Sequence, residues 1–181
     1  VTVFEVAAMI EEVVHVTELP LDGLTSQQLM QHRTNQLEPT LGKATPYLKA
    51  RDALRTGSGS KVAEVLRLQD RIKECEQLEI SLEVADMIDQ VVRATETPIE
   101  EMTVQQLNHH RMSQLETVLW RAVPYLYDRG ALKVGGGGFG AQKIAEVVAL
   151  EARIKECKQR VAALEAADML GEVAQLTEQP I

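Results

Sequence analysis

Apolar residues recur at threes and fours along nearly the whole chain. Between Lys61 and Glu96, the residues Val65, Leu68, Ile72, Cys75, Leu78, Leu82, Ala85, Ile88 and Val92 keep this spacing. At 3.6 residues per turn they share one helix face, and the run predicts a helix of about 36 residues, roughly 54 Å long. A second run over 142–178 carries Val147, Leu150, Ile154, Cys157, Val161 and Leu164 in a heptad seam. Strand-like alternation is absent from the pattern, so the expected fold class is all-α.

Local punctuation places the other helices. Thr25-Ser-Gln-Gln28 and Thr103-Val-Gln-Gln106 read as capping boxes: the threonine hydroxyl accepts from the first turn and the glutamine reaches back. Leu24/Leu29 and Met102/Leu107 hold the hydrophobic-staple positions around them. Pro20 and Pro98 end the preceding helices. Pro46 and Pro124, each in Ala-x-Pro-Tyr-Leu, are expected to kink or break their helices, because proline removes a donor and crowds the previous turn. Pro39 occurs in the first copy alone. The predicted order is a half helix at 4–18, a kinked helix at 25–55, a long helix at 60–97, a kinked helix at 103–133 and a long helix at 141–178. Short polar connections make successive helices antiparallel neighbours.

The order repeats because the sequence does. Shifted by 78 residues, Val3–Arg55 matches Ser81–Lys133 at 27 of 53 positions; shifted by 82, Lys61–Ile99 matches Lys143–Ile181 at 21 of 39. The expected architecture is therefore antiparallel helical hairpins in tandem, two repeats of about 80 residues whose long helices form a continuous bundle or rod. The first repeat is read over 1–80, the second over 81–162, and 163–181 as the start of a truncated third. Thr-Glu-x-Pro-hydrophobic occurs at Thr17–Leu21, Thr95–Ile99 and Thr177–Ile181, and the expectation is a fragment of a longer repetitive protein. Thr56-Gly-Ser-Gly-Ser60 replaces the longer Gly-rich connection of the second copy; it reads equally as a natural flexible loop or an engineered linker.

Composition narrows the function without naming it. One Trp, three Tyr and two Phe in 181 residues argue against sandwiches, barrels and aromatic cofactor pockets. A net charge of −8 argues against a duplex-wide nucleic-acid grip. No apolar run approaches the length needed to span a bilayer. The negative charge is uneven: helix 25–55 carries five basic and two acidic residues, and segment 61–96 five and nine. Helix 103–133 carries four and two, and segment 143–178 five and seven. Basic kinked helices are thus expected to lie against acidic long ones. With two cysteines and no CxxC or Cys/His metal spacing, a reducing cytoplasm is the expected location.

Candidate chemistry gathers at one repeated motif, Gln-Gln-Leu-x-x-His-Arg-x-x-Gln-Leu-Glu. It supplies His32, Arg33 and Gln36 in the first copy and His110, Arg111 and Gln114 in the second. One reading is a polar cluster that binds a partner or senses pH. The other is a half-buried histidine bonded to a neighbouring helix, with the arginine paired to acids of the long helix. Phe139, in the loop Gly135–Gly140, either tucks back or anchors a partner; that loop lacks the Lys-[Ser/Thr] of a phosphate-binding loop. Glu12-Val-Val-His15 has di-iron spacing, but Gln90 and Arg93 stand at the equivalent places. His109-His110 reads as surface plus edge. Cys75 and Cys157 fall on helix seams and read as buried, inert thiols. Tyr47/Arg51 and Tyr125/Arg129 are expected to close the end of each unit.

No catalytic set is legible, so the expected function is a non-enzymatic structural or protein-interaction module of a tandem-repeat scaffold. Its partner is another protein or itself, with no cofactor, no metal, no nucleic acid and no membrane insertion. The alternatives are a small-ligand-binding bundle with one site per repeat near the His-Arg pair, or a regulatory or docking segment of a larger enzyme.

Overall fold

Helical periodicity and strong caps give a helical chain. The structure, a computed structural model, describes residues 2–51, 59–134, 141–142 and 144–177. The helices are α1 (Thr2–Thr17), α2 (Ser26–His32), α3 (Glu38–Ala50), α4 (Gly59–Glu96), α5 (Val104–His110), α6 (Thr117–Asp128) and α7 (Ala145–Thr177). Between α2 and α3 the helix passes through a π turn, Arg33–Leu37, and between α5 and α6 through another, Arg111–Glu116. The one strand pairing among the described residues is a two-residue antiparallel ladder. Lys133 lies opposite Gln142 and Val134 opposite Ala141. That pairing delays the start of α7 to Ala145. Phe139 and the loop Gly135–Gly140 lie outside the described residues, as does 52–58 of the first connection.

Both capping boxes form as the motif predicts. Thr25 Oγ1 accepts from the Gln28 amide while Gln28 Oε1 accepts from the Thr25 amide, and Thr103 and Gln106 do the same. Pro46 and Pro124 do not break their helices: α3 and α6 run through them. Both prolines are exposed, as are Gly42 and Trp120 four residues earlier. The carbonyls that lose an amide partner therefore face solvent, which limits the cost of each proline.

The chain divides into two compact units, Val1–Glu83 and Val84–Ile181, the boundary falling within α4. In unit 1, Val6, Met9 and Val13 of α1 join Leu29 of α2, Leu37 of the π turn and Ala44 and Leu48 of α3, with Val65, Leu68 and Cys75 of α4. In unit 2, Met87, Val91 and Ala94 of α4 join Leu107, Leu115, Ala122 and Leu126, with Val147, Leu150, Ile154 and Cys157 of α7. Burial of the Val, Leu, Ile and Met side chains among them, at about 1.5–3 kcal/mol each, is the main stabilising contribution.

The α4 seam differs from the expected one beyond Cys75. Leu78, Leu82 and Ala85 are exposed, whereas Glu79, Met87, Val91 and Ala94 are buried. The long helix serves two separate cores, so a single apolar stripe does not describe it. Both cysteines are buried free thiols, and burial pushes the pKa of each upward, which disfavours the reactive thiolate.

Candidate functional site

The repeated His-Arg motif lies where α2 and α5 each pass into a π turn. Leu29 and Leu37 are eight residues apart and both fully buried, as are Leu107 and Leu115. Eight residues carry an α-helix about 80° past two full turns, and a π turn takes up that excess and brings both leucines to one core. In unit 1 the Glu38 amide donates to the Arg33 carbonyl, five residues back. Pro39 is not the cause, because unit 2 forms the same turn with Thr117 in that place. The Thr117 hydroxyl there donates to the Met112 carbonyl at 2.9 Å. The eight-residue leucine spacing also occurs on ordinary amphipathic helices, so the sequence carries no specific signal for these turns.

In unit 1 the arginine of the motif is fully paired, while His32 Nε2 is buried without a partner. Arg33 Nε donates to Glu79 Oε1 at 2.8 Å and Nη2 to Glu79 Oε2 at 3.1 Å, while Nη1 donates to Glu38 at 2.5 Å. The two-pronged geometry on Glu79 is the strong form of an arginine–carboxylate pair. Hydrogen bonding to Glu79 holds the guanidinium above its ordinary pKa against the opposing effect of burial, and Glu38 adds to it. His32 Nδ1 lies 2.7 Å from Gln36 Oε1 on its own helix, so the expected bond to a neighbouring helix is replaced by one within the turn.

Unit 2 has the same residues, but its arginine is less fully paired. Arg111 Nη1 donates to Glu116 at 2.7 Å and Nη2 to Asn108 Oδ1 at 3.3 Å. Its Nε is buried without a partner. Val161, half-buried, stands at the position equivalent to Glu79. His110 is buried rather than lying at an edge, with Nε2 unpaired, while His109 is exposed. Burial, with Arg153 and then His109 adding repulsion, pushes the imidazole pKa below its usual value. Gln114 is exposed and close to His110 along one groove.

An open groove of about 500 Å³ borders each motif. Leu19, Leu24, Gln28, His32 and Gln36 line the first; Thr97, Met102, Gln106, His110 and Gln114 line the second. Every residue in the first set is the sequence equivalent of one in the second. The amide-rich lining carries donors and acceptors but no formal charge, which suits a neutral polar group. Gln31 adds a further amide to the first lining, whereas Arg33 and Arg111 line neither groove.

Two arginines outside the motif close the helix ends nearby. Arg71 Nη2 donates to the Leu19 carbonyl at 2.7 Å. At the equivalent place, Arg153 Nε and Nη2 donate to the carbonyls of Thr95 and Thr97 at 3.0 and 3.1 Å. A cation on otherwise unpaired C-terminal carbonyls is favourable, and each arginine also pairs with an acid three residues on, Glu74 or Glu156. The residue pattern of the long helices contains both arginines, but their carbonyl partners are more than 50 positions away and leave no local signal. At the other end of each unit, Arg51 and Arg129 stack on Tyr47 and Tyr125 at 3.6 and 3.5 Å. The Glu12–His15 spacing has no ligand geometry: Glu12 is held by Lys43 at 2.9 Å and His15 is exposed.

Among the described residues, no helix is long and apolar enough to cross a membrane. No family model, curated protein or solved structure matches the chain.

Proposed function

We propose that this protein is a non-enzymatic structural and interaction module, a tandem-repeat helical scaffold that presents recurring surfaces to a protein partner or to copies of itself. One observation carries the reading. Past Leu164, α7 exposes Met169, Leu170, Val173 and Leu176 at 68, 71, 57 and 74%. The equivalent Met87 and Val91 are 6 and 0% exposed, and Met9 and Val13 likewise. A contiguous apolar stripe of a type that elsewhere lies in a core is a surface that favours being covered. The charged motif supports a structural role, since Arg33 is committed to Glu79 and Glu38.

The test is size fractionation of an extract from cells expressing this chain. The chain is expected to migrate well above its own 20.1 kDa, and M169E/V173E is expected to return it to that mass. Wild-type chain at its own mass both in extract and after purification would end the reading.

A second reading, a small-ligand-binding bundle with one site per repeat, is favoured by the matched grooves beside His32 and His110. It predicts a ligand-dependent rise in Tm that disappears in H32A/H110A. An undiminished rise in that double variant removes it.

A further inference from the structure

We infer that unit 2 binds an acidic peptide segment of a partner protein in a groove where Arg93 and Arg121 take its carboxylates. This rests on the interaction-module reading and gives the partner its chemistry. The groove, about 440 Å³ and open to solvent, runs between α4 and the helix that passes from the second π turn into α6. Gln90 and Arg93 line it from α4; Ser113, Gln114, Thr117 and Arg121 line it from the other side. Among the described residues, no aspartate or glutamate lines it.

The first repeat shows what this groove lacks. Shifted by 78 residues, Glu12 corresponds to Gln90, His15 to Arg93 and Lys43 to Arg121. Unit 1 neutralises its own cation, because Lys43 Nζ donates to Glu12 at 2.9 Å. Unit 2 replaces that carboxylate with an amide and adds a fixed positive charge one turn along. Gln90 Nε2 donates to Asp86 at 2.8 Å, and Gln90 Oε1 accepts from Arg121 Nη2. A neutral acceptor thus holds Arg121 in place without cancelling its charge. Arg93 is exposed, and its guanidinium meets no acid among the described residues. Each guanidinium offers a planar set of donors that matches a carboxylate.

The hydroxyls select a peptide over a simple ion. Ser113 Oγ donates to the His109 carbonyl at 2.6 Å, and Thr117 Oγ1 to the Met112 carbonyl at 2.9 Å. With those protons committed to the backbone, both oxygens are left as acceptors. A segment with acidic side chains and backbone N–H groups suits the arginines and the hydroxyls together, whereas a bare anion suits the arginines alone. The groove is also of ligand-pocket size, far larger than a single oxyanion.

The chain as a whole carries a net charge of −8, so an acidic peptide has no general attraction to it and its binding reports a local site. The experiment is an anisotropy titration of blocked, fluorophore-labelled hexaglutamate with the purified full chain. Saturable binding is expected, weakened about fivefold by Arg93→Gln or Arg121→Gln and unchanged by Lys43→Gln. Gln90→Glu keeps both arginines but restores the internal carboxylate of unit 1, and should weaken binding to a like degree. Arg93 and Arg121 are exposed, so an unaltered Tm checks that these variants fold. Absence of saturable binding, or binding undiminished in R93Q/R121Q, overturns the inference. Inorganic phosphate that saturates the groove at lower concentration than the peptide would assign it to a small anion and also overturn it. If hexaglutamate does not bind while the wild-type chain still runs above 20.1 kDa in extract, this inference fails and the interaction-module reading stands.

Discussion

Two units with equivalent cores treat the same arginine differently. Arg33 meets a carboxylate on the neighbouring helix, Glu79, whose side chain is 12% exposed. Arg111 meets Val161 there, falls back on Glu116 of its own turn, and keeps a buried Nε unpaired. The apolar positions hardly vary between units, yet the polar contacts do. A leucine in a core needs only volume and a dry neighbour, so many backgrounds satisfy it. A guanidinium needs a partner with defined geometry, and a single change at position 79 or 161 alters the result.

The strongest test of the core equivalence is at the π turns. Leu37 and Leu115 are each 0% exposed, and Leu37→Ala or Leu115→Ala should each cost about 3 kcal/mol from lost transfer energy and a residual cavity. Urea denaturation of the two variants should give like losses. If one leucine were dispensable, the turns would serve different purposes in the two units.

The arginine contrast is broken by making unit 1 resemble unit 2. Glu79→Val strands Arg33 with Glu38 and should cost about 2 kcal/mol, less than breaking a fully isolated buried pair because Glu38 remains. Val161→Glu is the reciprocal change. It gives the Arg111 Nε an acceptor, so its cost in the same denaturation should be well below that of Glu79→Val. Equal losses would show that position 79 matters for packing and not for pairing.

Helix class, both capping boxes, the buried cysteines and the basic-against-acidic contact of Arg33 with Glu79 were legible in the chain. They depend on residues a few positions apart or on gross charge. The helices are not broken at Pro46 and Pro124 because propensity says what a residue costs in a helix interior and not whether that position faces water. Leu78, Leu82 and Ala85 were misplaced for another reason: three-and-four spacing is satisfied by two adjacent stripes on α4, and only tertiary partners choose between them. The His-Arg motif drew notice by recurrence, yet the burial of His110 against Arg153 is a tertiary matter. Arg71 and Arg153 were missed because a carbonyl acceptor carries no residue identity.

The capping boxes sharpen the comparison at a smaller scale. Both have the same geometry, with the cap amides accepted by glutamine at 2.9 Å in each unit. Thr25→Ala and Thr103→Ala should each cost about 1 kcal/mol. A clear inequality, read by thermal denaturation, would locate further differences in the helix starts rather than at the arginines.

The smallest expected effect concerns acid. Burial lowers the pKa of His110, with Arg153 and His109 reinforcing it, so between that lowered value and about 6.5 the unfolded chain binds a proton that the folded chain refuses. Stability attributable to this histidine is therefore intact near neutrality and declines as pH falls through about 6.5 towards the folded pKa, below which the decline stops. Carboxylates and the other histidines add slopes of their own, so the informative quantity is a difference. His110→Gln should flatten the dependence of unfolding free energy on pH in that window relative to wild type, with the two curves parallel above it. A variant as acid-sensitive as the wild type would mean that the imidazole is protonated as readily in the folded unit as in the unfolded chain.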